Sequence, residues 1–261
     1  MDTASAVTGK VKLSRDERAW FVTFNNPAAF NAIDAEMTFA LDEALEKVRA
    51  DESDLPLVLQ GAGPAFMAGA DLTWFQSLVD NQRWDELSAS LQVAQGIVLK
   101  IAEMSRIVIA AVQGAAVGYG FGLVCVADRV IAGTKARFKL GQPSLGLTID
   151  GGLTYTLPRL VGYRQAMELV LTDSLISAET GQQMGLVSRL VSDAELDSAV
   201  TAAVDQVSKG PQSIQNKLLI RRSFPVSLAE QLRSEQERFL DAIRGETFRA
   251  CLRKFFDRKP L

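Results

Sequence analysis

Histidine is absent from all 261 residues. That removes a Ser-His-Asp or Cys-His nucleophile system, a helical zinc site built on two histidines, and any imidazole proton shuttle. Proton transfer by this chain falls to a carboxylate, a tyrosine, a lysine, a thiol or water. Cysteine is nearly as scarce. Cys125 and Cys251 stand far apart with no CxxC pair, which argues against a metal knuckle and a disulfide framework and suits a reducing cytoplasm. No metal site is therefore expected. Prolines number only 8, and 48% apolar against 23% charged residues indicate neither a disordered nor a fibrous chain. One enzyme-sized globular unit with a small helical appendage is the starting expectation.

The net charge of −3 hides an asymmetry: residues 1–208 carry 16 basic against 25 acidic side chains, and residues 209–261 carry 12 against 6. The basic end interleaves its charges with Phe224, Phe239, Phe248, Phe255 and Phe256. It reads as solvated helix faces with a few phosphate contacts, and no nucleic-acid partner is expected. Residues 1–9 are small and polar and a charged stretch follows, unlike a secretory signal. The 21 residues from Ile107 to Ala127 carry no charge. Four glycines and Gln113 break that run into a β-branched segment, a turn and a second apolar segment, so no membrane span is expected.

Two strands, 10–14 and 19–24, open the chain around the polar turn RDER. Asp34 is placed to cap a helix in which Met37, Ala40, Leu41, Ala44, Leu45 and Val48 recur at helical spacing. Strands follow at 55–60 and 107–112, with a helical pattern over 84–104 between them. A helix is expected from Tyr119 to Ala127, then short strands near 129–132 and 137–140. Beyond Gly151 the pattern is mostly helical, with one strand-like stretch at 188–191. No repeat of 20–50 residues is visible in the sequence. The expected class is α/β, with a core over 1–200 and a C-terminal helical region over 201–261.

Two strands run into glycine turns, GAGPAFMAGAD at 61–71 and QGAAVGYGFGL at 113–123. Such turns aim backbone N–H groups at a ligand, above all beside a helix N-terminus. Two together can make a two-donor oxyanion site. The glycines serve equally as sharp turns and close helix-packing points.

In this frame the chain resembles the enoyl-CoA hydratase/isomerase (crotonase) superfamily. NNPAAFNAI at 25–33, GAGPAFMAGADL at 61–72, IAAVQGAAVGYGFGLVCVAD at 109–128, GLTIDGGLTYTLPRLVG at 146–162 and SAETGQQMGLVSRLV at 177–191 follow the family's order and spacing. The resemblance implies a ClpP-like spiral of ββα units and C-terminal helices that assemble a homotrimer or a hexamer. It implies an acyl-CoA thioester as substrate, with no further cofactor. The oxyanion hole falls on the backbone N–H groups of Ala70 and Tyr119, with Gly69, Gly118 and Gly120 permitting close approach. Ala68, Asp71, Leu72 and Gln142 fall around it as substrate or CoA contacts. Asp71 and Asp128 also read as structural, bonding nearby backbone N–H groups beside their turns.

The same resemblance implies two glutamates for hydration, and neither is present. Gly122 stands at the first position, and either Gln142 or Ser144 at the second. A different acid, Asp150, matches the aspartate of dienoyl-CoA isomerases and of ring-opening isomerases of phenylacetate catabolism. That position also holds the nucleophilic aspartate of 4-chlorobenzoyl-CoA dehalogenases. Isomerisation with Asp150 as acid/base is the leading expectation, with hydrolysis or dehalogenation through Asp150 and a non-catalytic CoA-binding paralogue as alternatives. Asp150 can also serve as a helix cap beside Gly151 and Gly152. Phe30 and Thr73 stand where relatives carry basic residues for CoA. Arg258 and Lys259, in FFDRKPL, match a basic pair that reaches CoA phosphate, often from a neighbouring subunit, or they form a solvated terminus. Trp74, Phe75 and Trp84 are candidates for an acyl-pocket wall or for helix packing.

Overall fold

The computed structural model describes residues 9–208, 213–222 and 227–257. Strands β1 (Val11–Arg15) and β2 (Trp20–Phe24) pair antiparallel, Val11 opposite Phe24. Their alternation puts Val11, Leu13, Val22 and Phe24 into the core. Ile33 then makes a bridge to Ala70, and α1 (Ala35–Ala50) begins at Asp34, whose carboxylate accepts from the Met37 N–H at 2.9 Å. A second turn follows: β3 (Leu57–Gly61), a bridge from Met67 to Ala116, then α2 (Leu72–Asp80) and α3 (Trp84–Glu103). The third turn is β4 (Val108–Val112), β5 (Ala115–Val117) and α4 (Tyr119–Val126). The fourth is β6 (Arg129–Gly133), β7 (Arg137–Lys139), a 3-10 turn at Pro143–Leu145, and helices α5 (Leu153–Val161) and α6 (Tyr163–Thr172).

Each turn therefore gives one segment to each of two sheets before entering helix. The larger sheet runs β1-β2-β3-β4-β6-β9, with β9 at Arg189–Val191, and every pair after the first is parallel. The smaller runs β5-β7-β8, with β8 at Ile176–Ser177, and the two bridges extend it. This is the ββα spiral that the resemblance implies. The repeat lies in the backbone, and the sequence hides it because the small-sheet segments are bridges or strands of two or three residues.

The uncharged run 107–127 becomes β4, β5 and α4, and α4 is buried along its whole length. Among the described residues no helix is long and apolar enough to cross a membrane. After α7 (Ala178–Gln183) and β9, α8 (Leu196–Ser208) packs on β4 and β6 of the larger sheet. Since α8 is continuous through 200/201, the boundary expected there cuts a helix that belongs to the core layers. The remaining helices are α9 (Ser213–Arg222), α10 (Leu228–Arg244) and α11 (Glu246–Asp257). Part of the C-terminal basic charge is consumed inside the fold. Asp128 accepts from the Val108 N–H at 2.8 Å, from Lys217 at 2.7 Å and from Arg221 at 2.9 Å, fastening α9 to the spiral.

Candidate active site

The two glycine turns meet at one wall of a cavity of about 770 Å³. Gly69 and Gly118 have φ of +92° and +55°, conformations that L side chains rarely adopt. A Cβ on Gly69 would lie 2.9 Å from the Val117 carbonyl oxygen, and one on Gly118 would lie 3.7 Å from the Gly69 Cα. The turns therefore touch. This contact brings the N–H groups of Ala70 and Tyr119 to the cavity, and neither has a hydrogen-bond acceptor among the described residues. Tyr119 opens α4, so its N–H also stands at the positive end of a helix. Its phenol points away and donates to the Ala94 carbonyl of α3 at 2.7 Å. Ala68, Gly69, Asp71, Leu72, Gly118 and Gln142 line the same cavity. Gly120 does not: its α-carbon lies against Met67, where a Cβ would come 2.4 Å from the carbonyl oxygen. It allows α4 to pack on the chain behind the wall, not a ligand to approach.

Asp150 enters the cavity from a loop that ends in two left-handed glycines, Gly151 at φ +65° and Gly152 at φ +76°. Its carboxylate accepts from Gln142 Nε2 at 2.9 Å. Burial pushes the carboxyl up to about 6, and the hydrogen bonds from Gln142 and from its own backbone N–H oppose the rise. Of the two residues aligned with the second glutamate, buried Gln142 stands beside Asp150, whereas Ser144 lies at the rim and bonds to Asp173. The first position is closed. A Cβ on Gly122 would lie 2.5 Å from the Gly151 carbonyl oxygen, so backbone of the Asp150 loop fills the room a side chain would need.

The capping role considered for Asp150 is taken by another residue. Glu235 of α10 accepts from the Gly152 N–H at 2.9 Å and the Thr154 N–H at 3.3 Å, and from the Thr154 hydroxyl, so the first turn of α5 is capped across the fold. Asp71 does cap locally, accepting from the Thr73 and Trp74 N–H groups at 2.9 and 3.1 Å.

Trp74 and Phe75 line the cavity, whereas Trp84 packs in the neighbouring apolar cluster. The same cavity is lined by residues that the sequence reading missed: Phe239 of α10, whose ring packs edge-on against Phe75, and Cys251, Lys254, Phe255 and Phe256 of α11. The signal for Phe239 was available, since Leu228, Leu232, Glu235, Phe239 and Ile243 form one stripe of α10. The stripe also marks Glu235, an acid on an apolar face. Phe30 is exposed and Thr73 lies on the cavity wall. Arg258 and Lys259 lie outside the described residues. Among the described residues no three His, Cys, Asp or Glu side chains cluster as a metal ion would need.

A pair of free N–H donors sharing a cavity with one half-buried carboxylate can stabilise an oxyanion while a proton or a bond moves beside it. Comparison with known proteins gives this geometry its context. The family model for enoyl-CoA hydratase/isomerase matches residues 16–261. A probable enoyl-CoA hydratase of Rhizobium meliloti is 36% identical over 228 residues, 85% of each chain. A 4-chlorobenzoyl coenzyme A dehalogenase of an Arthrobacter species is 29% identical over 213 residues, 82% of this chain and 76% of the relative. The crystal structure of an enoyl-CoA hydratase from Bacillus halodurans superposes with a TM-score of 0.88 at 27% identity, covering 94% of this chain and all of that one. The spiral, the paired turns and the extent of these matches agree, and the chain belongs to the enoyl-CoA hydratase/isomerase family of acyl-CoA enzymes.

Proposed function

We propose that the protein moves a double bond within an acyl-CoA thioester, with Asp150 as the single acid/base. The observation that carries this reading is the closed position at Gly122: backbone of Gly151 fills it, and of the two carboxylates on the cavity wall Asp71 is taken up in capping α2, leaving Asp150 alone where water-activating hydration uses two. With the thioester oxygen between the Ala70 and Tyr119 N–H groups, Asp150 takes a proton from C2 of a 3-enoyl thioester. The electron pair moves into a dienolate held by the two donors, and the same proton returns at C4. Each donor is worth about 3–4 kcal/mol to such an oxyanion. A carboxyl near 6 is mostly ionised at neutral pH, yet basic enough to take the proton and acidic enough to return it. Purified protein is expected to convert 3-enoyl or dienoyl thioesters. Efficient hydration of crotonyl-CoA with no isomerisation of either class rejects the reading.

The dehalogenase relative favours one alternative, in which the Asp150 carboxylate attacks the halogen-bearing ring carbon of an aroyl-CoA thioester and displaces halide. That route leaves a covalent ester. Rapid quenching and mass spectrometry of the peptide containing Asp150, after mixing with halogenated aroyl-CoA thioesters, tests it: an adduct under turnover selects the nucleophile, and turnover without an adduct rejects it. The proposal extends to assembly as a homotrimer or hexamer, supported by the exposed apolar side chains of Tyr163, Leu171 and Leu175 on and after α6.

A further inference from the structure

The most unusual group outside the cavity is Glu235. Only 4% exposed, it stands on the core-facing stripe of α10 and binds the residues that follow Asp150, which lies 85 positions earlier in the chain. Its carboxylate accepts from the N–H groups of Gly152 and Thr154 and from the Thr154 hydroxyl, which in turn accepts from Gln231 Nε2. Both Gly151 and Gly152 sit at positive φ, so the loop has little stiffness of its own. Without an acceptor, the buried N–H of Gly152 and the part-buried N–H of Thr154 would lack a partner at the start of α5. The carboxylate supplies that acceptor and also opposes the α5 dipole.

We propose that Glu235 is the positioning residue for Asp150: by pinning Gly152 and Thr154 it fixes the direction in which the Asp150 carboxyl enters the cavity and keeps solvent out from behind it. The inference rests on Asp150 being the reacting carboxyl. A second cavity, of about 480 Å³, lies behind the loop and is bordered by Thr148, Ile149, Thr154, Gln231 and Glu235. If the pin is released, water from that side reaches the back of the loop. Burial also pushes Glu235 up to about 7, with the nearby Asp150 charge contributing, so the two carboxyls sense one another. Polar groups around the loop include Tyr119 of α4, Gln142 just before the 3-10 turn, Gln95 of α3, and Gln231 and Gln236 of α10, and the charged side chains that share the cavity wall with Asp150 are Asp71, Lys139 and Lys254. Burial holds the Tyr119 phenol well above its ordinary range, so it stays neutral.

The test reads Asp150 directly. Protein labelled with carboxyl-¹³C aspartate is titrated by NMR, the Asp150 resonance being assigned by its loss in Asp150→Asn. In wild type the midpoint is expected near 6. Glu235→Ala is expected to drop it by at least about one pH unit toward the ordinary aspartate value, because solvent then reaches the carboxyl. Glu235→Gln keeps an acceptor oxygen for Gly152 and is expected to hold the midpoint within about half a unit of wild type. If Glu235→Ala does not fold, Glu235→Ser, shorter by two bonds and leaving the space open to water, takes its place. A wild-type midpoint in the Ala or Ser variant overturns the proposal, as does a Gln variant shifted as far as Ala. In parallel, loss of α-deuterium from deuterated butanoyl-CoA reports proton abstraction, and its acid limb is expected to follow the NMR midpoints. If wild type removes no deuterium, the acid/base reading fails while the titration still decides what Glu235 does.

Discussion

Asp150 shows how one residue can trade stability for chemistry. Between its ordinary value near 4 and about 6, the folded chain keeps a proton on Asp150 that the unfolded chain has released. Its contribution therefore favours folding fully at low pH and is lost as pH rises through 6. Above that pH the displacement costs about 3 kcal/mol. Asp150→Asn escapes the cost. It is expected to melt higher than wild type at pH 8 and no higher at pH 4, while turnover falls by at least about a hundredfold with thioester binding largely kept. Calorimetric melts at the two pH values and steady-state kinetics check both halves. Asp150 was legible in the sequence because neighbouring glycines and a matching motif framed it. Glu235 was not, since its partners at Gly152 and Thr154 are neighbours only after α10 folds back over α5. Gln142 and Ser144 could not be separated by counting. The difference is one of burial: Gln142 turns in toward Asp150, and Ser144 turns out toward Asp173.

Among the elements, α4 and the Asp150 loop are shaped to each other at Gly122. Gly122→Ala places a Cβ 2.5 Å from the Gly151 carbonyl oxygen. Overpacking of that kind typically costs about 1–3 kcal/mol, and here the backbone that must yield carries Asp150. Turnover is expected to fall along with the melting temperature, and Gly122→Glu is expected to gain no crotonyl-CoA hydration. A different fastening holds α9. Asp128→Ala would leave buried Lys217 and its neighbour Arg221 without their shared carboxylate, an unpairing expected to cost about 3–5 kcal/mol in a urea melt. The large-sheet strands and the long helices were legible from periodicity, because each carries enough residues to show it. The strand β5 was not: Ala115–Val117 is three residues between glycine turns, held by β7 and Met67 and not by any pattern of its own. The helix α2 was missed although Asp71 is an ordinary capping residue and Thr73, Gln76, Ser77 and Asp80 recur at helical spacing opposite Phe75, Leu78 and Val79, because nine residues next to a glycine turn pass as part of the loop.

For the whole molecule, the C-terminal helices are part of the site. α10 and α11 bring Phe239, Cys251, Lys254, Phe255 and Phe256 to the cavity that the spiral opens. The sequence placed these residues in an appendage because nothing local ties them to turns more than a hundred positions earlier. Assembly through the exposed face after α5 is expected to appear in sedimentation as a species three or six times the chain mass, and Leu171→Asp is expected to shift it toward monomer. The chain's two thiols differ in just the way such experiments need. Cys125 is sealed in the core with its thiol pushed far above the ordinary range, whereas Cys251 is half-buried on the cavity wall. A maleimide should therefore label one site per folded chain, at a rate set by how readily it enters the cavity. A bound thioester that slows that labelling would turn Cys251 into a built-in gauge of occupancy, readable without knowing the acyl group or following a single turnover.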